Sequence, residues 1–254
     1  WNTAAINDGV YLVQIKGTDT AGNVGYSQIR SYETNNATEA LTLLTPAASS
    51  RISGTITCEA VIAGDAASVA FSYQYPQGSG TWTTIGTDTS SENGWSATWT
   101  TGASGTYSVK AVSYNVSGSV LASDTNYNVV VDNDAPSISV NIAGIIGGSK
   151  PATITTSSMS DDVEQVIFEY GSSAGTYTIG VDTTSPFTMS WNAANMADGT
   201  YTIVATAVDL VGLKTSTSTT TRVDNTAPVF SVDYPTEWAQ VKGAAVSIRF
   251  NGTD

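Results

Sequence analysis

WNAANMADGTYTIVATAVDLVG, Trp191–Gly212, places a Trp, a turn ending at Gly199, a Tyr and an alternating apolar strand in one run of chain. Tyr201, Ile203, Ala205 and Ala207 alternate with Thr202, Val204 and Thr206. A period of two marks a strand with one face on a core. Two further segments share the plan, WNTAAINDGVYLVQIKGTDTAGN from Trp1 and WTTGASGTYSVKAVSYNVSG from Trp99. Their Gly-x-Tyr steps fall at Gly9/Tyr11, Gly105/Tyr107 and Gly199/Tyr201, so that Tyr107 follows Tyr11 by 96 positions and Tyr201 follows Tyr107 by 94.

A second landmark returns at nearly the same period. VVVDNDAP ends at Pro136 and TRVDNTAP at Pro228, 92 positions on. Two landmarks at one period mark a repeated unit, and its size is that of one sandwich of two antiparallel sheets. Short β-branched runs such as Gln165–Tyr170, Phe187–Trp191 and Ser216–Val223 lie between the landmarks. Gly, Asn, Asp and Ser punctuate them at the spacing of sandwich strands. No helix-period segment is long enough to supply the crossovers that a parallel sheet needs. The expected limits are residues 1–38 for the C-terminal part of one domain, 39–133 and 134–225 for two complete domains, and 226–254 for the N-terminal part of another.

Composition agrees with strands and turns. The 254 residues include 23 Gly and only 12% charged residues, while 41% are apolar, enough to bury a core in each unit. Twenty-two acidic residues against nine basic ones give a net charge of −13, which repels nucleic acid and anionic lipid. No apolar stretch is long enough for a membrane helix, and no membrane insertion is expected. The chain has no His, which removes His-dependent triads and imidazole metal sites. The one cysteine, Cys58, alternates with Ile56 and Ala60 and reads as a buried small hydrophobe. Glu59, Glu164 and Glu169 could pair as acid and base, but read as solvated strand or loop positions. The expectation is that the chain is not an enzyme.

With these residues in view, the chain resembles the tandem immunoglobulin-like repeat domains of bacterial and archaeal cell-surface proteins, of surface-layer or adhesin type. The matching stretches are SDDVEQVIFEY (Ser160–Tyr170), the strand ending at Trp191, DGTYTIVATAVDLVG (Asp198–Gly212) and VDNTAP (Val223–Pro228). The domain over 39–133 departs from the pattern, with Asn115 where the other repeats carry Asp19 and Asp209. The expected fold is all-β, with tandem immunoglobulin-like β-sandwich domains in an extended rod. The Tyr of each Gly-x-Tyr is similar to a tyrosine corner, an architectural hydrogen bond.

The acidic residues suggest calcium. In such a sandwich the incoming linker, the B–C loop and the F–G loop meet at one pole. There Asp132, Asn133, Asp134, Asp161, Asp162 and Asp209 would gather, and clustered carboxylates repel unless a cation sits among them. Asp224, Asn225, Asn251 and Asp254 would form the next such group. The earlier junction, with Asn35, Asn36 and Asp65, should bind weakly or not at all. The Asp-Asn-x-Ala-Pro junctions resemble the calcium linkers of cadherins. Asp-Asn is equally a turn signal with Pro136 and Pro228 stiffening the linker, and the sequence leaves both readings open.

Glycan acceptor sequons occur at Asn36, Asn115 and Asn251. Tyr73, Tyr75 and Trp82 could form an exposed aromatic surface for a sugar or another subunit, or pack into the core or a hairpin. The expected role is a non-enzymatic extracellular structural protein, part of a surface-layer lattice or a filament or adhesin stalk. Its partners would be neighbouring copies of itself, or cell-surface glycans. The competing readings are a carbohydrate- or receptor-binding adhesin module and a spacer of a secreted enzyme.

Overall fold

A computed structural model describes all residues except Asp8, Asn35, Ala37, Thr38 and Ser149. The chain divides into two units, Trp1–Asn133 and Asp134–Asp254. Among the described residues helix is limited to a single 3-10 turn, Thr3–Ala5.

The first unit opens with β1 (Gly9–Val13), β2 (Lys16–Thr18), β3 (Val24–Tyr26) and β4 (Arg30–Thr34), in which β1 pairs with β4 and β2 with β3. A complete sandwich follows: β5 (Ala40–Thr45), β6 (Arg51–Ile52), β7 (Thr55–Ala63), β8 (Ser68–Gln74), β9 (Thr83–Asp88), β10 (Trp95–Thr100), β11 (Gly105–Tyr114) and β12 (Val120–Val131). Its sheets run β10-β7-β5 and β6-β12-β11-β8-β9.

The second unit repeats this order strand for strand. It contains β13 (Ser139–Asn141), β14 (Ile145–Ile146), β15 (Ala152–Ser157), β16 (Val163–Ser172), β17 (Gly175–Asp182), β18 (Thr188–Trp191), β19 (Gly199–Asp209) and β20 (Lys214–Val223). Its sheets run β13-β15-β18 and β14-β20-β19-β16-β17. The unit ends with the antiparallel pair β21 (Val229–Tyr234) and β22 (Arg249–Thr253).

In both sandwiches the first strand changes sheets. β5 and β13 pair antiparallel within the three-stranded sheet, then β6 and β14 join the five-stranded sheet parallel to its last strand, β12 or β20. The tandem immunoglobulin-like sandwich expected from the repeat is therefore the fold.

Strand alternation builds the cores. Val69 and Phe71 on β8, and Val166 and Phe168 on β16, are fully buried. Val109 and Ala111 correspond to Ile203 and Ala205 on the next strand. Each core holds an aromatic group at the same place. Tyr73 stacks on Trp99 at 5.2 Å and Tyr170 on Trp191 at 5.3 Å, with Tyr107 and Tyr201 set edge-on to those indoles. Such ring pairs add about 0.5–1.5 kcal/mol beyond the area they bury. Cys58 is enclosed in the first core, where burial pushes its thiol pKa up to about 12.

The edge strands β9 and β17 carry the same bulge. Ile85 and Ile179 are skipped in the pairing with β8 and β16, and both pack against the cores. A bulge at a sheet edge breaks the flat ladder that another chain could extend.

Candidate functional site

Each sandwich has a pole where its last strand leaves, and the repeated Asp-Asn pair sits there. Both ends of the Asn225 side chain are bonded. Its Oδ1 accepts from the Gly148 amide at 2.8 Å, and its Nδ2 donates to the Ala193 and Met196 carbonyls at 2.9 and 2.8 Å. Its own backbone amide donates to Asp198 Oδ1 at 2.6 Å, and the Thr226 hydroxyl donates to the other oxygen of that carboxylate.

Asn133 has the same occupation in the first sandwich. Its Oδ1 accepts from the Gly54 amide at 2.7 Å, and its Nδ2 donates to the Gly102 carbonyl at 2.6 Å and to Thr101 Oγ1 at 3.0 Å. Ser104 takes the place of Asp198, its hydroxyl accepting the Asn133 amide at 2.9 Å. Gly54 and Gly148 can serve because they turn at φ of 63° and 66°, left-handed values that suit glycine. Asn36 belongs to the same series, since its Nδ2 donates to the Thr3 and Ile6 carbonyls at 2.8 and 2.9 Å.

The neighbouring aspartates pair with arginine. Asp132 meets Arg51 at 3.4 Å, and Asp224 meets Arg222 at 3.3 Å. Donation from Thr226 and then from the Asn225 amide holds the Asp198 carboxyl below the usual carboxylate range.

At the F–G turn a second Asx position repeats, eight residues after the corner tyrosine in each copy. Asp209 Oδ1 accepts the Val211 and Leu213 amides, both at 2.9 Å. Asp19 Oδ1 accepts the Ala21 and Asn23 amides, and Asn115 Oδ1 those of Ser117 and Ser119. The turn needs one oxygen, which Asn and Asp both supply, and this explains the departure at Asn115. Asp209 is fully buried, and its Oδ2 has no hydrogen-bond partner. Asp162 lies beside this turn through its backbone, its carbonyl accepting the Leu210 amide at 3.2 Å.

Within each unit several of these positions have protein partners. The Asn133 and Asn225 oxygens already accept glycine amides, and Asp132 and Asp224 face guanidinium groups. Among the described residues no group of three or more acidic, cysteine or histidine side chains able to hold a metal occurs. Asp224 and Asp254 share the wall of a shallow hollow with Lys150 and Thr226, where Lys150 supplies an opposing charge. Asn251 stands in β22 opposite Ser231.

The sequons are placed as follows. Asn36 donates its side-chain amide to two carbonyls, with Ala37 and Thr38 of its sequon outside the described residues, Asn115 caps its turn, and Asn251 is exposed in a strand. Asn35 lies outside the described residues.

Tyr73, Tyr75 and Trp82 do not form one outward surface. Tyr73 shares the inward parity of Val69 and Phe71 and stacks on Trp99. Tyr75 stacks on Tyr107 at 4.4 Å, and its hydroxyl donates to the Ser104 carbonyl at 3.2 Å. Trp82 lies under the Lys110 ammonium, 4.2 Å from the ring centre. The loop between Tyr75 and Trp82 folds back on its own sheet: the Gln77 amide donates to the Thr106 carbonyl, and Gln77 Oε1 accepts the Asn128 amide. The tyrosine corners are present in all three copies, with Tyr11, Tyr107 and Tyr201 donating to the carbonyls of Asn7, Ala103 and Ala197 at 2.8, 2.8 and 3.0 Å.

Sequence reasoning missed Ser104 and Asp198, and it missed that the junction Asn faces backwards into the sandwich it ends. A usable signal was the spacing from Trp to Asn, which is 35, 34 and 34 positions for Asn36, Asn133 and Asn225. A fixed distance to the repeated Trp marks a part of the domain.

Two family profiles match the chain: a bacterial Ig domain over residues 145–205 and a bacterial Ig-like domain of group 3 over 185–249. A search of curated protein sequences finds no match. Among solved structures, the chain is similar to the fibronectin(III)-like modules of Clostridium thermocellum CbhA, at 22% identity and a TM-score of 0.44 over 72% of this chain and 92% of that one. It is also similar to a tetra-tandem repeat in the extending region of a large adhesion protein, at 19% identity and a TM-score of 0.37 over 97% and 63% of the two chains. A 1.5-MDa bacterial ice-binding adhesin is a third, at 15% identity and a TM-score of 0.41 over 79% and 69%. These matches do not confirm the likeness of the junctions to cadherin linkers. Residues 145–249 are thus similar in sequence to bacterial Ig-like domains, and the sandwich before them shares the same sheet order.

Proposed function

We propose that the chain is a non-enzymatic, load-bearing segment of an extracellular surface protein, a stalk of adhesin or filament type or part of a surface lattice. The observation that carries this reading is where the repetition lies. Trp99 and Trp191, Tyr107 and Tyr201, Gly54 and Gly148, and Asn133 and Asn225 all recur, and each is spent on holding its own sandwich together. A site used by every repeat would instead recur among exposed side chains. Acidity and the absence of paired cysteines suit a solvated surface array whose sandwiches are held by their cores.

Pulling the chain by tags at its two ends tests the proposal. Two discrete unfolding steps, one per sandwich, are expected at forces well above those that stretch an unfolded chain. Extension without such steps would refute it.

A binding role is the second reading, favoured by one feature. The loop from Tyr75 to Trp82 belongs to the first sandwich, whereas β16 and β17 are joined by a tight turn. Glycan-array binding that disappears on Trp82→Ala would establish it.

A further inference from the structure

We propose that Asn133 and Asn225 are mechanical latches, which hold the end of the last strand so that tension reaches the sandwich as shear. The inference rests on the load-bearing reading above.

Load on the second sandwich enters ahead of β13 and leaves after Asn225. β14 and β20 run parallel, so the two ends pull them in opposite directions along their length. Their hydrogen bonds, Arg222 to the Gly144 carbonyl at 2.9 Å and Asp224 to the Ile146 carbonyl at 2.8 Å, lie across that direction and must fail together. The same patch recurs in the first sandwich, with Val130 donating to the Ser50 carbonyl and Asp132 to the Ile52 carbonyl, both at 2.9 Å.

Shear requires that β20 not be lifted from its end, where it could peel one bond at a time. Asn225 lies at that end. Its side chain ties the exit to the turn after β14 through Gly148 and to the loop before β19 through Ala193 and Met196. Asp198 grips the next two donors along the chain, the Asn225 amide and the Thr226 hydroxyl. Gly147 makes the close approach possible, because a Cβ there would lie 1.8 Å from the Asp224 carbonyl oxygen. An outward pull on residue 226 therefore meets bonds to two segments, the turn after β14 and the loop before β19, before it meets the ladder.

Forced unfolding reads the rate at which the native state is lost, so the test is a lifetime at constant force. In the 254-residue chain tethered at both ends, Asn225→Ala should shorten the lifetime of one sandwich at least tenfold and leave the other unchanged. Asn133→Ala should do the reverse. Asn225→Asp, which keeps the acceptor for Gly148 and loses both donations, should fall between.

A second geometry separates a latch from ordinary stabilisation. With handles at the N-terminal tag and at Ala174→Cys, force does not pass along the end of β20. Asn225→Ala should then shorten the lifetime no more than it speeds hydrogen exchange in the unloaded chain. Equal shortening in both geometries, or none with end tethers, overturns the latch while leaving the load-bearing reading intact. A wild-type chain that extends without force-bearing steps overturns both.

Discussion

Tyr107→Phe and Tyr201→Phe remove the same hydroxyl from the same place in two copies of one fold, yet they should not have the same effect. Tyr107 is 1% exposed, and its hydroxyl donates to the Ala103 carbonyl at 2.8 Å. Tyr75 stacks over it and keeps water from the ring. Desolvation, with smaller contributions from Tyr75 and Tyr73, raises the Tyr107 phenol pKa. Deleting this hydroxyl removes a bond with a net value of about 1 kcal/mol and leaves a carbonyl poorly solvated, so the loss should be about 2 kcal/mol. Tyr201 is half-buried, the group has no counterpart of Tyr75 over it, and its bond to Ala197 is 3.0 Å. Water can replace that hydroxyl, and the loss should be about 0.5 kcal/mol. Native-state hydrogen exchange read by mass spectrometry resolves the two sandwiches in one chain. The slowest amides of the first sandwich should exchange about 30-fold faster in Tyr107→Phe, and those of the second about twofold faster in Tyr201→Phe. Equal acceleration in the two variants would refute the argument that water exclusion sets the value of the corner.

Three further expectations follow from the same physics. Because its hydrogen bonds lower the Asp198 pKa in the folded chain, its contribution is present above the ordinary Asp value of about 4 and is lost as pH falls through the lower folded value. Calorimetry from about pH 5 down to pH 2 should show the acid destabilisation of the second sandwich reduced in Asp198→Asn. Asp209→Asn should leave stability within about 1 kcal/mol of wild type, since Asn115 caps the equivalent turn, whereas Asp209→Ala should cost about 1–3 kcal/mol by orphaning the Val211 and Leu213 amides; urea midpoints at constant slope decide. Cys58, with its pKa near 12 and no exposure, should react with a thiol reagent only as fast as the first sandwich opens, and a burst of labelling in native buffer would contradict its burial.

Fold and site were not equally legible in the sequence, and the reason is the range of the interactions that make them. A strand announces itself locally: Tyr201, Ile203, Ala205 and Ala207 alternate because one sheet face is dry, and the pattern survives any neighbouring sequence. Repetition then multiplied the signal, since the Trp, the Gly-x-Tyr step and the Asp-Asn-x-Ala-Pro landmark return at nearly one period. The Asp-Asn pair carries no such pattern. Its meaning depends on Gly148, 77 positions earlier, and on Ala193 and Met196, which offer backbone carbonyls that no residue type advertises. An Asn side chain facing backbone partners looks in sequence like one facing solvent or a cation. The two can be told apart only by asking which group answers the amides of the left-handed turn at Gly54 or Gly148. That accounting points from the turn to the Asn, and from the Asn to the way each sandwich resists being opened from its end.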